Sequence, residues 1–447
     1  MSQQPYDAVI VGGGPAGATA AVALARAGLT VVVLERATFP RFHLGESLLP
    51  EMMRFLRELG LTERIAAIPQ VPKAGGAFVN GDGSGRIYFH FTDALGAGTG
   101  TEVAACNLER APFDAALLAA ARDAGAEVRE GAAVRAIPAL ADGDVRVEVE
   151  QGGERGEVRG RWLLDASGQA TVVARHLGTR RVIPQMKKVA YYGQFESVER
   201  EPLPAGGYPM IAICREGWFW LIPLDEKRTS IGFVTEADMV KRMDVPPDRL
   251  LAWAIERCPY VAEVTKSATS LPVNGVMADF SYRCRPYAGP GYFLLGDAAT
   301  FIDPIFSTGV CLGMGSAIEA ARVVEKLAKA QITPAAARRT YARTVHRGTA
   351  PFFRLVQDYY KPAFRDLLLA GSGPFEVHRA VISILAGHLF PRTSFALRWR
   401  LWAFRGFVAM QRLLPVAERR RIFSLLDPPP AGVEPAPAAA AAGPAGG

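Results

Sequence analysis

The chain has 447 residues, 49% hydrophobic and 21% charged, which excludes a disordered or fibrous protein and allows more than one core. No apolar run reaches the ~18 residues of a membrane span, and MSQQPYDAVIVGGG runs into a strand with no basic, cleavable leader. Five cysteines without a C-x-x-C pair and dispersed histidines point to a reducing cytoplasm and to neither a disulfide framework nor a metal centre. The net charge of +7 comes with no nucleic-acid recognition motif.

In chain order, the apolar run Tyr6–Val11 predicts a buried strand, Pro15–Ala27 an alanine-rich helix and Thr30–Glu35 a second strand. Together they form a βαβ unit and imply a parallel sheet. Between the first strand and the helix, Gly12, Gly14 and Gly17 spell G-x-G-x-x-G. Glycines there permit a tight turn and let backbone approach a pyrophosphate at the helix N-terminus. Glu35, 18 residues after Gly17, ends the second strand, where a carboxylate can accept from ribose hydroxyls. The glycine pattern alone does not choose between FAD and NAD.

Arg110–Ala124 reads as an amphipathic helix, followed by alternating strands through Val147 and Leu163. GAGTG at 96–100 is not flanked by strand and helix and reads as a loop, so a second dinucleotide unit is not expected. From about Val182 to Val234 the pattern turns to β, with Gly and Pro in the turns. Phe293–Gly296 returns to a buried strand and Ser307–Ala328 to a long helix. Residues 331–426 read as helical, and the Pro- and Ala-rich end, 427–447, as a disordered tail. Near the C-terminus Arg398, Arg400, Arg405 and Arg412 alternate with Phe395, Trp399, Trp402 and Phe407. Such a segment is a solvated helix whose arginine stems cover apolar surface, a docking face for an acidic protein, or a weak membrane-surface contact.

Three further segments favour FAD. FPRFHLGESLLP (39–50), NLERAPFDAALL (107–118) and LLGDAATFIDP (294–304) resemble, in order, the signatures of hydroxylase-like FAD oxidoreductases. Trp218, Trp220, Ile222 and Pro223 spell W-x-W-x-I-P, and Phe301, Pro304, Ser307 and Gly309 spell F-x-x-P-x-x-S-x-G. Both resemble the motifs of flavin-dependent halogenases, and Lys73 in PKAGGAF stands where that family carries its catalytic lysine. The likeness runs from about residue 5 to about 425.

The resemblance implies an α/β fold: a Rossmann-type FAD-binding domain in two pieces (1–180 and 265–330), a β-rich insert (181–264) and a C-terminal helical region. It implies that Gly12, Gly14, Gly17, Glu35, Arg41, Ser47, Arg110, Asp297, Pro304 and Gly309 hold FAD. Thr308 and Gly309, at a helix N-terminus with free N–H groups, would hold a chloride or bromide. Lys73 would act as a neutral amine forming a haloamine, or stay charged and hydrogen-bond hypohalous acid. Trp218 and Trp220, on one face of a strand, form either a patch of core or a wall keeping substrate from the flavin. Implied partners are a separate flavin reductase and a phenolic or pyrrolic substrate, free or acyl-carrier-bound. Phe306 stands where tryptophan halogenases carry a glutamate, which argues against free tryptophan. A monooxygenase, a geranylgeranyl-reductase-like enzyme and a non-catalytic flavoprotein subunit are the competing readings.

Overall fold

The computed structural model describes residues 4–95, 103–278, 281–370, 376–388 and 394–427. The GAGTG loop and residues 428–447 of the expected tail lie outside them.

Two sheets organise the chain. In the first, Tyr6–Val11 pairs in parallel with Val31–Glu35 on one side and with Glu154–Asp165 on the other; Glu127–Glu130 and Tyr292–Leu294 extend it at either end. Val31–Glu35 is buried along its whole length and Tyr6–Val11 over its last four residues, as continuous apolar runs such as VVVLE require when helices cover both faces. Strand Glu154–Asp165 also pairs through its first half with the antiparallel strand Asp144–Gln151. The helix Pro15–Arg26 starts with proline at its first turn and is rich in alanine, so its backbone packs closely on the helices Arg110–Asp123 and Gly309–Ala328. Residues near 292–328 therefore meet the N-terminal βαβ unit across a long stretch of sequence.

The second sheet has seven strands in the order Thr269–Ala278, Lys188–Glu196, Arg228–Glu236, Gly217–Pro223, Met210–Ile213, Gly75–Asn80 and Ile87–His90. Its members come from three stretches of the chain, and two of those fall outside the β-rich span 181–264 read from sequence. Alternation separates its faces. Phe219 and Leu221 point into a second core, where the Phe219 and Phe233 rings lie 4.7 Å apart beneath the helices Leu250–Arg257 and Pro259–Thr265. Trp218, Trp220 and Ile222 point the other way, towards the first sheet.

Among the described residues four helices follow, Pro334–Tyr359, Pro362–Leu369, Val377–Leu385 and Phe395–Gln411. The helical reading of 331–426 is too long at its end: residues 412–427 form no helix and run over the second sheet. Pro415 has no N–H to continue a helix, and side chains take the backbone donors instead. Gln411 Oε1 accepts from Val416 and Ala417, Asn80 Oδ1 from Phe423, and Glu216 Oε2 from Leu425. The expected helix from Ser307 begins at Gly309, because Ser307 sits at φ 53° in the left-handed region, where helix cannot propagate.

Candidate active site

The sheets enclose a cavity of about 640 Å³ at their junction. Every site residue expected from sequence except Gly17 lines it: Gly12, Gly14, Glu35, Arg41, Ser47, Lys73, Arg110, Trp218, Trp220, Asp297, Pro304, Thr308 and Gly309.

The glycines divide by what surrounds them. A Cβ on Gly17 would fall 1.8 Å from the Gly12 carbonyl oxygen, and one on Gly12 would fall 2.4 Å from that of Ala166, at φ 101°. These two serve the close approach of turn, helix and neighbouring strand. Gly14 is different: a Cβ there would meet only Arg41 Nη2, at 3.5 Å, with the cavity beyond. Gly17 therefore supports the cradle without facing it. Glu35 fixes the turn, accepting from Gly13 N at 2.6 Å and Ala37 N at 2.8 Å.

The segment 39–50 is pinned across the cavity by charge. Buried Arg110 makes a paired contact with Asp114 at 2.8 and 3.0 Å and donates to the Leu44 carbonyl at 2.8 Å. Arg41 Nη1 lies 3.5 Å from Asp114 Oδ2 without a hydrogen bond, and buried Ser47 Oγ has no partner. Such unpartnered polar atoms are costly unless a ligand meets them. With the open face of Gly14, they fit an extended polar cofactor such as FAD. Burial pushes Asp297 up to about 7, against the opposing pull of Arg110, so the site holds a carboxyl suited to hydroxyl groups.

Lys73 is buried, and its ammonium donates to the Leu48 carbonyl at 2.8 Å. Burial lowers it to about 7 with only Cys106 opposing, so an appreciable fraction is neutral amine near neutral pH. Lys73 ends the strand Gln70–Lys73, which pairs with Ala105–Leu108, and lies 5.3 Å from the centre of the Phe91 ring.

Trp218 and Trp220 are core and cavity lining at once. Their rings lie 6.1 Å apart. Trp220 Nε1 donates to Ser230 Oγ at 3.2 Å, and its indole occupies the space over Gly232, its cross-strand partner, where a Cβ would fall 2.2 Å from Cζ2. At the far end Asp303 accepts from Ile305 N at 3.0 Å, Thr308 is buried as the N-cap, and helix Gly309–Ala328 directs its free N–H groups at the cavity.

Sequence reading missed Glu46, Asp303 and Tyr360. Burial drives Glu46 up to about 7, countered by hydrogen bonds from Ser230 and Gln194. Glu46 and Asp303 stood inside segments already singled out, but nothing in their spacing marks them as buried. Among the described residues no cluster of metal-ligating side chains occurs.

The FAD-binding domain family model matches residues 5–344. The chain is 32% identical over 326 residues to the 1H-pyrrole-2-carbonyl-[peptidyl-carrier protein] brominase of Pseudoalteromonas luteoviolacea, covering 72% of this chain and 77% of that one. It is also 32% identical to tryptophan 2-halogenase of Chondromyces crocatus, over 79% and 67% of the two chains. The chain belongs to the flavin-dependent halogenases. The halogenase fold is shared with the structure of the flavin-dependent brominase Bmp2, at a TM-score of 0.78, 27% identity and coverage of 91% and 100%. This halogenase therefore carries the FAD-binding α/β architecture read from its glycines. No helix among the described residues is long and apolar enough to cross a membrane.

Proposed function

We propose that this halogenase binds FAD across Gly14, Arg41, Ser47 and Asp297, receives its electrons from a separate flavin reductase, and halogenates a pyrrole or phenol delivered on a carrier protein. Bound and reduced, FAD supplies, with dioxygen, the oxidising power that converts chloride or bromide to hypohalous acid. The helix N-terminus at Thr308 and Gly309 attracts the halide. Trp218 and Trp220 bar the aromatic substrate from the flavin side. The neutral Lys73 amine takes the halogen from hypohalous acid, forming an N–halogen bond and releasing water. The substrate ring carbon then takes the halogen, and its proton leaves as the amine is restored.

One observation carries this reading: Lys73, buried and depressed to about 7, opens into the same cavity as the Gly14 turn and the tryptophan strand. The carrier-bound substrate is proposed by analogy with the pyrrolyl-carrier brominase. The relative acting on tryptophan raises free indole as a second reading. Against it, the glutamate position of tryptophan halogenases holds Phe306, buried edge-on against Tyr359 at 5.7 Å. Mass spectrometry of reactions with a flavin reductase, bromide, and either pyrrole-2-carbonyl carrier protein, a free phenol or tryptophan tests the proposal. Bromination of tryptophan alone would reject it.

A further inference from the structure

The helix Phe395–Gln411 sorts its residues more cleanly than its composition suggests. Leu397, Phe404, Val408 and Gln411 are buried. On the exposed side Phe395, Arg398, Trp402, Arg405, Ala409 and Arg412 follow at alternating steps of three and four, which places them along one stripe. Apolar and cationic side chains alternate along it. Phe395 is 78% exposed, Trp402 79% and, just beyond the helix, Leu413 82%. Exposed aromatic rings flanked by arginine are a surface that single scattered apolar residues do not explain.

The charge has one sign. Between Glu376 and Glu418 the chain contains Arg379, Arg392, Arg398, Arg400, Arg405 and Arg412 and no aspartate, glutamate or lysine. Arg400 is met by Glu376 at 3.5 Å and Arg405 by Asp358 at 3.1 Å. No ion pair is made by Arg398 or Arg412 with the described residues, so the two ends of the stripe keep their charge for a partner. The helix packs on Val377–Leu385, whose Leu385 lines the cavity. The stripe thus lies one helix away from the cavity wall.

We propose that this stripe docks an acidic carrier protein, with Arg398 and Arg412 meeting its carboxylates and Phe395 and Trp402 its apolar helix face. The inference rests on the carrier-bound reading of the substrate given above. Charge complementarity selects the partner: an arginine-only surface attracts an acidic domain over distance and disfavours a basic one. Docking here leaves the tethered ring within one helix of the wall that Leu385 shares with Lys73.

The test uses the FAD-loaded full chain and two probes: a pyrrole-2-carbonyl peptidyl carrier protein, and the same acyl group as a small soluble thioester. The variants are the Arg398→Glu, Arg412→Glu pair and Trp402→Ser, which spare the Arg405–Asp358 contact. Each variant should weaken carrier binding by about tenfold or more, and for native protein that binding should weaken with added salt over the ~8 Å screening length of physiological buffer. Turnover of the small thioester should be unchanged. Carrier binding that ignores both variants, while the thioester is still halogenated, overturns the docking surface and leaves the substrate reading intact. Failure of both probes overturns the substrate reading itself. Variants that lose binding to phosphatidylserine vesicles, or lose self-association, but keep carrier binding also overturn the proposal.

Discussion

Tyr360 stands between Trp218 and Asp303: its hydroxyl accepts from Trp218 Nε1 at 3.1 Å and donates to Asp303 Oδ2 at 2.6 Å. The C-terminal region thereby holds Trp218 against the segment that precedes the helix Gly309–Ala328. Lys188 Nζ, 3.8 Å over the Tyr360 ring, sets a cation behind the arrangement. Burial raises Asp303 to about 6, and the Tyr360 hydrogen bond opposes that rise.

Tyr360→Phe should leave the Trp218 N–H without its partner and deprive buried Asp303 of a donor, costing about 1–3 kcal/mol. Asp303 then rises further. A carboxyl raised on folding costs stability as pH climbs through its unfolded value towards its folded one, so the variant's extra loss should grow above about pH 6. Thermal melts from pH 5 to 8 measure this. Hydrogen peroxide released per reduced flavin should also increase, because a loosened Trp218 no longer closes the wall; an unchanged melt and an unchanged peroxide yield together contradict the relationship.

Gly14→Val and Gly17→Ala should part company. The first puts a branched side chain into the cavity while the surrounding backbone has room, so the protein folds and purifies colourless. The second places a methyl 1.8 Å from the Gly12 carbonyl and should destabilise the fold itself. Flavin content and melting temperature of the two variants, measured together, check the division; a yellow Gly14→Val protein would falsify it.

Lys73→Met tests the buried amine in two ways. Halogenated product should disappear while flavin still binds. The native lysine titrates at about 7 folded against 10.5 unfolded, so the unfolded chain holds the extra proton between those values. Native stability, relative to the Lys73→Met variant, should therefore rise with pH from about 7 to about 10 and stay level below about 7. Parallel denaturation curves across that range would place the lysine in water instead.

Gly232→Val attacks the wall without touching a tryptophan. A side chain there collides with the Trp220 indole and must swing it from its place. The expected result resembles Trp220→Ala, itself a loss of roughly 3–5 kcal/mol for a buried indole, with peroxide leakage and a shifted tryptophan emission. Native emission and native coupling would mean that Trp220 is not held by that glycine.

The N-terminal βαβ unit of the first sheet could be read directly, because G-x-G-x-x-G, the apolar runs Tyr6–Val11 and Val31–Glu35, and Glu35 are local signals whose neighbours in the chain are neighbours in space. The tryptophan strand was also readable, since a period of two separates Trp218 and Trp220 from Phe219 and Leu221. The second sheet was not readable as a unit: Gly75–Asn80 and Thr269–Ala278 join it across nearly two hundred residues, and periodicity carries no information about such pairing. Tyr360 was missed for a related reason. It lies in a stretch read as helical, among neighbouring aromatics that read as core, and only tertiary structure brings its hydroxyl to Asp303. The end of the helical region failed because side chains of Asn80, Glu216 and Gln411, distant or pointing back, satisfy the backbone after Pro415.

The run from 412 to 427 has a consequence for how the chain is made. Phe423 and Leu425 complete the core whose first member, Val79, lies on the strand Gly75–Asn80. At ~5–20 residues per second of synthesis, on the order of tens of seconds separate the emergence of that strand from the emergence of its cover. Through that interval Val79, and later Cys214 and Cys258 on the side away from the helices Leu250–Arg257 and Pro259–Thr265, lack the last part of their cover. Yield in a heterologous host should thus depend on a chaperone's hold on this half-built layer and on the integrity of the last residues of the strap.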